Sequence, residues 1–282
     1  MSPELNEWLQ LFGRWIHIFA AIMWVGTTYY FTWLDGRFSE LEKLAGDEKE
    51  KEKNVWMVHS GGFYVVEKQK IPQLMPQTLH WFKWEAVITW LSGFFLFGLV
   101  YYHGGMMVEA EDWPIKKGVA FALSFGLIIV GWVVYDLLLT KLFKNELVGI
   151  IVSFLLITGL AYIFMRPLNI GSFHLPALFP ARAAYMQLGA MLGTIMTANV
   201  WMRILPPQRR MVAALKAGRQ PDLAEGARAK TRSKHNTFIV MPVVFLMISN
   251  HYSATFGSPH NWLILSGMVL VGWIAAAVLR KA

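Results

Sequence analysis

Histidines are the main candidates for metal binding and proton transfer in this chain, because the sequence holds eight of them and no cysteine. Without thiolates, disulfides, iron–sulfur clusters and covalently attached c-type haem are excluded. A redox metal must then be held by imidazole, thioether or oxygen ligands. His17 and His251 lie within long apolar segments, where an ionisable side chain is costly and indicates function.

Two neutral imidazoles from facing helices are a common way of holding haem b. We therefore predict that His17 and His251 ligate the iron of a haem b. Copper bound by histidine is the less favoured alternative. A histidine near a membrane surface can also serve only as a hydrogen-bonding group for lipid or backbone.

Three further histidines, His59, His80 and His235, lie beside basic connecting segments. They predict a second cofactor site at the opposite membrane face, and hence one or two haems in all. The spacing does not select its ligands, because no predicted helix carries two histidines on the same face.

A cluster of polar residues at this second face predicts a pocket. Lys83 and Glu85 open an apolar segment, and two residues apart on a helix they do not face each other. Each therefore needs a partner on another element or a ligand, and Asn236 stands at the start of another segment. In the alternative interpretation Lys83 only extends to the membrane surface. Ion pairs of Glu85 or Asp136 with Arg203 would then be structural.

Seven apolar segments must position these side chains. The chain is 55% hydrophobic and only 16% charged, whereas a soluble domain has about a quarter of its residues charged. Each segment is near the ~20 residues that a helix needs to cross a bilayer. We predict an all-α, polytopic membrane helical bundle, a single membrane domain over residues 1–282, with spans at about Phe12–Trp33, Trp84–Tyr102, Gly118–Leu139, Leu147–Met165, Ala183–Met202, Thr237–Tyr252 and Trp262–Leu279.

The basic residues predict how the bundle is oriented. With the N-terminus outside, 21 Lys and Arg fall on the inner side and five on the outer side. Such an excess marks the cytoplasmic face, so we predict a multi-pass protein with its N-terminus outside and its C-terminus inside. We expect the membrane to be a bacterial inner membrane. The basic segments also favour contact with anionic lipids rather than with nucleic acid.

The first inner connection contains two strand-like runs around a glycine pair, in VWMVHSGGFYVVEKQ. This pattern predicts a small β-hairpin. Its alternating apolar residues Val55, Met57, Tyr64 and Val66 need a surface to cover, so we expect the hairpin to close over the inner pocket.

Nine short strings, in order along the chain, carry a family resemblance. They are RWIHIFAAIMWVG, VHSGGFY, HWFKWEA, TWLSGF, GWVVYD, GTIMTANV, PPQRRMVAALKAG, SKHN and LMISNHY. Together they resemble the membrane domain of the membrane-bound, cytochrome c linked urate oxidase (urate hydroxylase) family. The resemblance covers essentially the whole chain.

This resemblance implies oxidation of urate with water to 5-hydroxyisourate, with the electrons going to cytochrome c. At the inner face, Lys83 and Asn236 would hold the urate anion while Glu85 accepts protons. Electrons delivered to the outer side must cross a hydrocarbon layer of ~30 Å, which requires a redox centre within the membrane. Haem b is the expected centre.

Two departures from the family pattern bear on this expectation. The cytochrome c domain usual in the family needs cysteines that this chain lacks, so the acceptor is expected to be a separate cytochrome c or a respiratory complex. Gln187 stands where many members carry histidine. A non-catalytic haem-binding or structural electron-transfer subunit is therefore an alternative, and a transporter for a purine-like anion is a third.

Overall fold

The computed structural model describes residues 1–45, 54–69, 71–72, 76–108, 113–141 and 145–280. Its helices are α1 (Pro3–Ala45), α2 (Trp84–Phe97), α3 (Lys117–Lys141), α4 (Glu146–Met165), α5 (Ala181–Ala198), α6 (Leu205–Lys216), α7 (Leu223–Ser249), α8 (Ser253–Phe256) and α9 (Asn261–Leu279). Two π-helical turns extend α2 over Gly98–His103 and join α5 to α6 over Asn199–Ile204. The strands are β1 (Asn54–His59), β2 (Gly62–Glu67), β3 (Leu168–Ile170) and β4 (Phe173–Leu175).

Six of the helices in the described ranges are long and apolar enough to cross a membrane. They contain six of the seven predicted spans, so the predicted class, a helical membrane bundle with a small β-hairpin, is confirmed. The seventh predicted span, Thr237–Tyr252, corresponds to the second half of α7. This helix begins much earlier, where the Asp222 side chain accepts a hydrogen bond from the Ala224 backbone N–H at 2.9 Å and so caps its first turn.

Helix α5 occupies the centre of the bundle and packs against α2, α3, α4 and α7. More than half of its apolar span is buried, a far larger share than in the other five spans. Gly189 lets α7 approach closely, because a Cβ atom there would lie 3.2 Å from the Met247 Cε. The central position of α5 brings the residues at its two ends into two different sites.

The predicted hairpin is present and is formed by β1 and β2. Its strands pair antiparallel, with Val55 opposite Val66 and Met57 opposite Tyr64. Ser60 and Gly61 turn the chain with φ values of 50° and 76°, the left-handed backbone that a two-residue hairpin loop requires.

The hairpin docks on α1 rather than over a pocket. Val55 is buried against Leu34 and Phe38 of α1, and Lys68, just after β2, pairs with Asp35. The expected closure over the inner pocket is therefore wrong in its location. Of the hairpin residues that the structure describes, none lines the cavity beside it, because α1 already supplies the apolar surface that they cover.

Candidate functional site

A cavity of about 810 Å³ opens at the end of the bundle where α2 begins. We call it the polar cavity. Its walls come from α1, the segment before α2, the π-helical turn after α5, and helices α6 and α7. Its volume lies within the ~300–1,000 Å³ range of small-molecule sites, and the predicted residues His80, Glu85 and Asn236 line it.

Charged side chains of both signs line the polar cavity. The cations are Lys43, Lys230, Lys234 and Arg280, and the carboxylates are Asp35, Glu40 and Glu85. Several are already paired: Asp35 with Lys68 and with Lys230 at 3.7 Å, Glu40 with Arg37 at 3.1 Å, and Lys234 with Glu146.

Glu85 is the lining carboxylate that differs from the others. It lies in the first turn of α2, partly buried, and no side chain in the described ranges hydrogen-bonds or ion-pairs with its carboxylate group. Lys83 does not line the polar cavity. Its Nζ lies instead 5.1 Å from the centre of the Trp84 ring. Of the two neighbours on the helix, Glu85 alone faces the cavity.

Asn236 lines the polar cavity and connects its wall to the interior. Its Oδ1 accepts a hydrogen bond from Asn199 Nδ2 at 2.9 Å, and its own Nδ2 donates to the Met196 carbonyl at 3.0 Å. Asn199 Nδ2 also donates to the Tyr135 hydroxyl at 2.8 Å. The predicted binding residue Asn236 is thus one end of a buried hydrogen-bond network.

Tyr135 and His235 form the other end of this network, with the hydroxyl 3.1 Å from His235 Nδ1. Asn199 donates to the same hydroxyl oxygen, which leaves the Tyr135 proton available to His235 Nδ1. Burial, with smaller effects of Arg232 and Lys234, lowers the pKa of His235 to about 4. The imidazole is therefore neutral near pH 7, and its Nδ1 is engaged by the Tyr135 hydroxyl.

The π-helical turn Asn199–Ile204 positions two of these polar side chains. Single π-helical turns within helices occur frequently at functional sites. Here the turn directs Asn199 into the network and Arg203 towards Asp136 on α3. The irregular backbone at the base of α5 thus coincides with the wall of the polar cavity.

A charged triad braces the helices beside the network. Asp136 accepts hydrogen bonds from Arg203 Nε at 2.9 Å and from Arg232 Nη2 at 2.8 Å. Arg232 is 7% exposed, and its carbon Cζ lies 5.2 Å from the centre of the Tyr135 ring. The structural alternative for Asp136 and Arg203, an ion pair between helices, is therefore the observed one.

The structure does not bring the inner histidines into one site. His80 lines the polar cavity and contacts the Phe82 ring, with centroids 4.5 Å apart, while His59 is exposed at the end of β1. His235 faces Tyr135 instead. Within the described ranges, no group of three or more His, Asp or Glu is arranged to hold a metal ion.

His17 and His251 lie at different depths. His17 Nδ1 is 2.9 Å from the Thr89 carbonyl in the middle of α2; a carbonyl only accepts, so Nδ1 carries the proton and Nε2 is left for a ligand. His251 is exposed in the turn after α7, and the preceding Asn250 bonds Tyr101, near the other end of the α2 segment. Thr89 and Tyr101 are twelve positions apart, which corresponds to ~18 Å along a helix. The two histidines thus lie beside different parts of the α2 segment, and haem ligation by this pair stays a prediction.

Gln187, the second departure from the family pattern, is fully buried in α5. Its Oε1 accepts from the Ser124 hydroxyl at 2.5 Å, and its Nε2 donates to the Ser124 carbonyl at 3.0 Å. Both amide atoms are therefore used in packing α5 against α3. Gln187 is a structural residue here.

Two residues of the site, Tyr135 and Arg232, were not predicted from the sequence. Both lie in or beside strings that carry the family resemblance, GWVVYD and SKHN. The signal that could have found them is the presence of polar residues at the ends of apolar segments, which is costly unless they are paired.

These membrane-length helices, arranged around a buried central helix with a polar cavity at one end, are those of a polytopic helical membrane protein. A family model described as urate oxidase N-terminal matches residues 3–281. The chain belongs to this family, and that membership supports urate oxidation as its activity. No curated protein and no solved structure matches the chain.

Proposed function

We propose that the chain is a membrane-bound urate oxidoreductase that oxidises urate to 5-hydroxyisourate in the polar cavity. The observation that carries this proposal is Glu85, a carboxylate that faces a ligand-sized cavity and has no described partner. Membership of the urate oxidase family supplies the substrate class. Electrons pass to a separate cytochrome c or respiratory complex.

The proposed reaction converts urate and water into 5-hydroxyisourate, two protons and two electrons. Urate is an anion at neutral pH, and cavity cations such as Lys230 and Arg280 raise its local concentration. Glu85 accepts a proton as electrons leave, while the amide of Asn236 supports the wall against which the planar ring lies. Two molecules of a one-electron acceptor are reduced in each turnover.

A membrane-embedded redox group, haem b in our prediction, supplies one-electron transfer when bound. His17 is the predicted ligand whose Nε2 is available for it, because Nδ1 is engaged by Thr89.

An anaerobic assay of the full chain in native-like membranes tests this function. With ferricytochrome c or a soluble one-electron dye as acceptor, we expect urate to disappear at half the rate of acceptor reduction, and oxygen from labelled water to appear in the product. An enzyme that uses molecular oxygen would show no turnover without air. Absence of urate consumption under every acceptor condition would contradict the proposal.

A non-catalytic haem-binding or structural electron-transfer subunit is the second candidate, and the packing of Gln187 favours it. At this position, where the family resemblance leads us to expect histidine, Gln187 forms two hydrogen bonds with Ser124. A visible spectrum that shows haem but does not change on addition of urate would support this candidate. Urate-dependent reduction of the same spectrum would support the oxidase.

The proposed orientation, with the N-terminus outside a bacterial inner membrane and the C-terminus in the cytoplasm, makes a prediction for tags. A tag after Ala282 should be inaccessible to a periplasmic protease until the inner membrane is opened, because the excess of basic residues retains that face inside. A tag before Met1 serves as the matched control and should be cleaved in intact spheroplasts. The reverse pattern would invert the topology.

A further inference from the structure

A second recess, of about 420 Å³, opens at the end of the bundle opposite the polar cavity. We call it the arginine recess. Arg166, just after α4, and Arg182, in the first turn of α5, both line it. The 18 residues of α5 separate it from the π-helical turn of the polar cavity by ~27 Å, so the two sites are distinct.

Both arginines are held by neutral acceptors. Arg182 Nε donates to Asn250 Oδ1 at 2.7 Å, and this oxygen also accepts from the Tyr101 hydroxyl at 2.8 Å. Arg166 Nη2 donates to the Pro259 carbonyl. These bonds fix each guanidinium group while leaving several of its five N–H donors unused.

The arginine recess carries uncompensated positive charge. No acidic residue is among the described residues that line it, and neither arginine forms an ion pair with a carboxylate in the described ranges. The first turn of α5, which has no side-chain cap, adds partial positive charge. Two guanidinium groups sharing one recess repel each other unless an anion lies between them.

We propose that the arginine recess binds a phosphate-type oxyanion, either free or as the headgroup of an anionic lipid. Planar guanidinium groups match the tetrahedral oxygens of phosphate through paired N–H donors. The recess lies where α4 ends and α5 begins, at the membrane surface of the bundle, so a lipid phosphate and a soluble phosphate can both reach it. The Ser258 hydroxyl and the Asn261 side chain line the recess as well.

Two binding measurements on the full chain test this site and distinguish the sources. Titration calorimetry in neutral detergent uses inorganic phosphate, and native mass spectrometry compares retention of phosphatidylglycerol with that of phosphatidylcholine. We expect saturable binding of at least one phosphate-bearing probe. Binding of phosphate alone assigns a soluble anion, and selective retention of phosphatidylglycerol assigns a lipid headgroup.

Arg166→Gln is the decisive variant, since this side chain holds only a loop carbonyl and its loss should leave the fold intact. We expect the affinity for the bound probe to fall about tenfold or more, as for loss of a charged hydrogen bond. Lys117→Gln removes a charge at the same end of the bundle but outside the recess, and should change little. Absence of binding in the wild type, unchanged binding by Arg166→Gln, or equal loss in both variants would overturn the proposal. None of these binding measurements involves urate oxidation, so a negative result here would not count against the proposed activity in the polar cavity.

Discussion

Replacing Glu85 by Gln is expected to lower kcat for urate oxidation by about 10²-fold or more while changing KM much less. The carboxylate faces the polar cavity and has no described protein partner, so it is available to accept the proton that urate loses during oxidation. An amide of the same shape cannot accept that proton. Steady-state kinetics under anaerobic conditions, with a saturating one-electron acceptor, measures the effect.

The matched control for this prediction is Glu67→Gln. Glu67 lies on β2 at the same end of the bundle but does not line the polar cavity, so its loss should leave kcat unchanged. Glu85→Asp keeps the carboxylate on a shorter side chain and should restore part of the rate. Wild-type kcat in Glu85→Gln would remove Glu85 from the mechanism, whereas equal losses in both glutamine variants would indicate a general effect of charge.

The arrangement of Glu85 and Lys83 shows what sequence reasoning could and could not provide. The spacing correctly indicates that two residues two positions apart point away from each other. It does not indicate which of them faces the cavity. That choice depends on how α2 is rotated against α1, and therefore on contacts such as the ring of His17 against Gly93, where a Cβ atom would lie 2.8 Å from the imidazole Cε1.

The spans and the hairpin were predictable because their signals are local. Apolar runs of membrane length and a glycine pair between alternating residues each identify an element without knowledge of its neighbours. The first half of α7 was missed because its charged residues are stabilised by tertiary pairs, among them Arg210 with Glu225 at 2.7 Å and Arg232 with Asp136 at 2.8 Å.

The depth of each histidine was the least predictable feature. An apolar run locates a residue along its own helix but does not give the vertical offset between helices. His17 contacts the middle of α2, whereas His251 follows the end of α7 beside the residues that contact Tyr101. Tyr135 and His235 are likewise 100 positions apart in the chain, and they meet because α3 and α7 both pack against α5.

Replacing Asp136 by Asn is expected to cause the largest loss of stability, about 3–5 kcal/mol in the free energy of unfolding. Asp136 forms ion pairs with both Arg203 and Arg232. Arg232 has a side chain only 9% exposed, and one of its terminal nitrogens, Nη1, already has no hydrogen-bond partner in the part of the chain that the structure describes. Loss of the carboxylate charge leaves this guanidinium buried without compensation. Unfolding in mixed micelles containing sodium dodecyl sulfate measures the change.

A double variant separates buried charge from lost packing at this triad. Arg232→Met removes the stranded cation, so Asp136→Asn combined with Arg232→Met should be less destabilised than the sum of the two single variants. Glu225→Gln, which breaks the pair with the exposed Arg210, is the control and should cost much less. Strict additivity in the double variant would show that the charges are not coupled. Coupling would instead show that Asp136 compensates the buried charge of Arg232. This arginine lies beside Tyr135, which belongs to the hydrogen-bond network leading to the polar cavity.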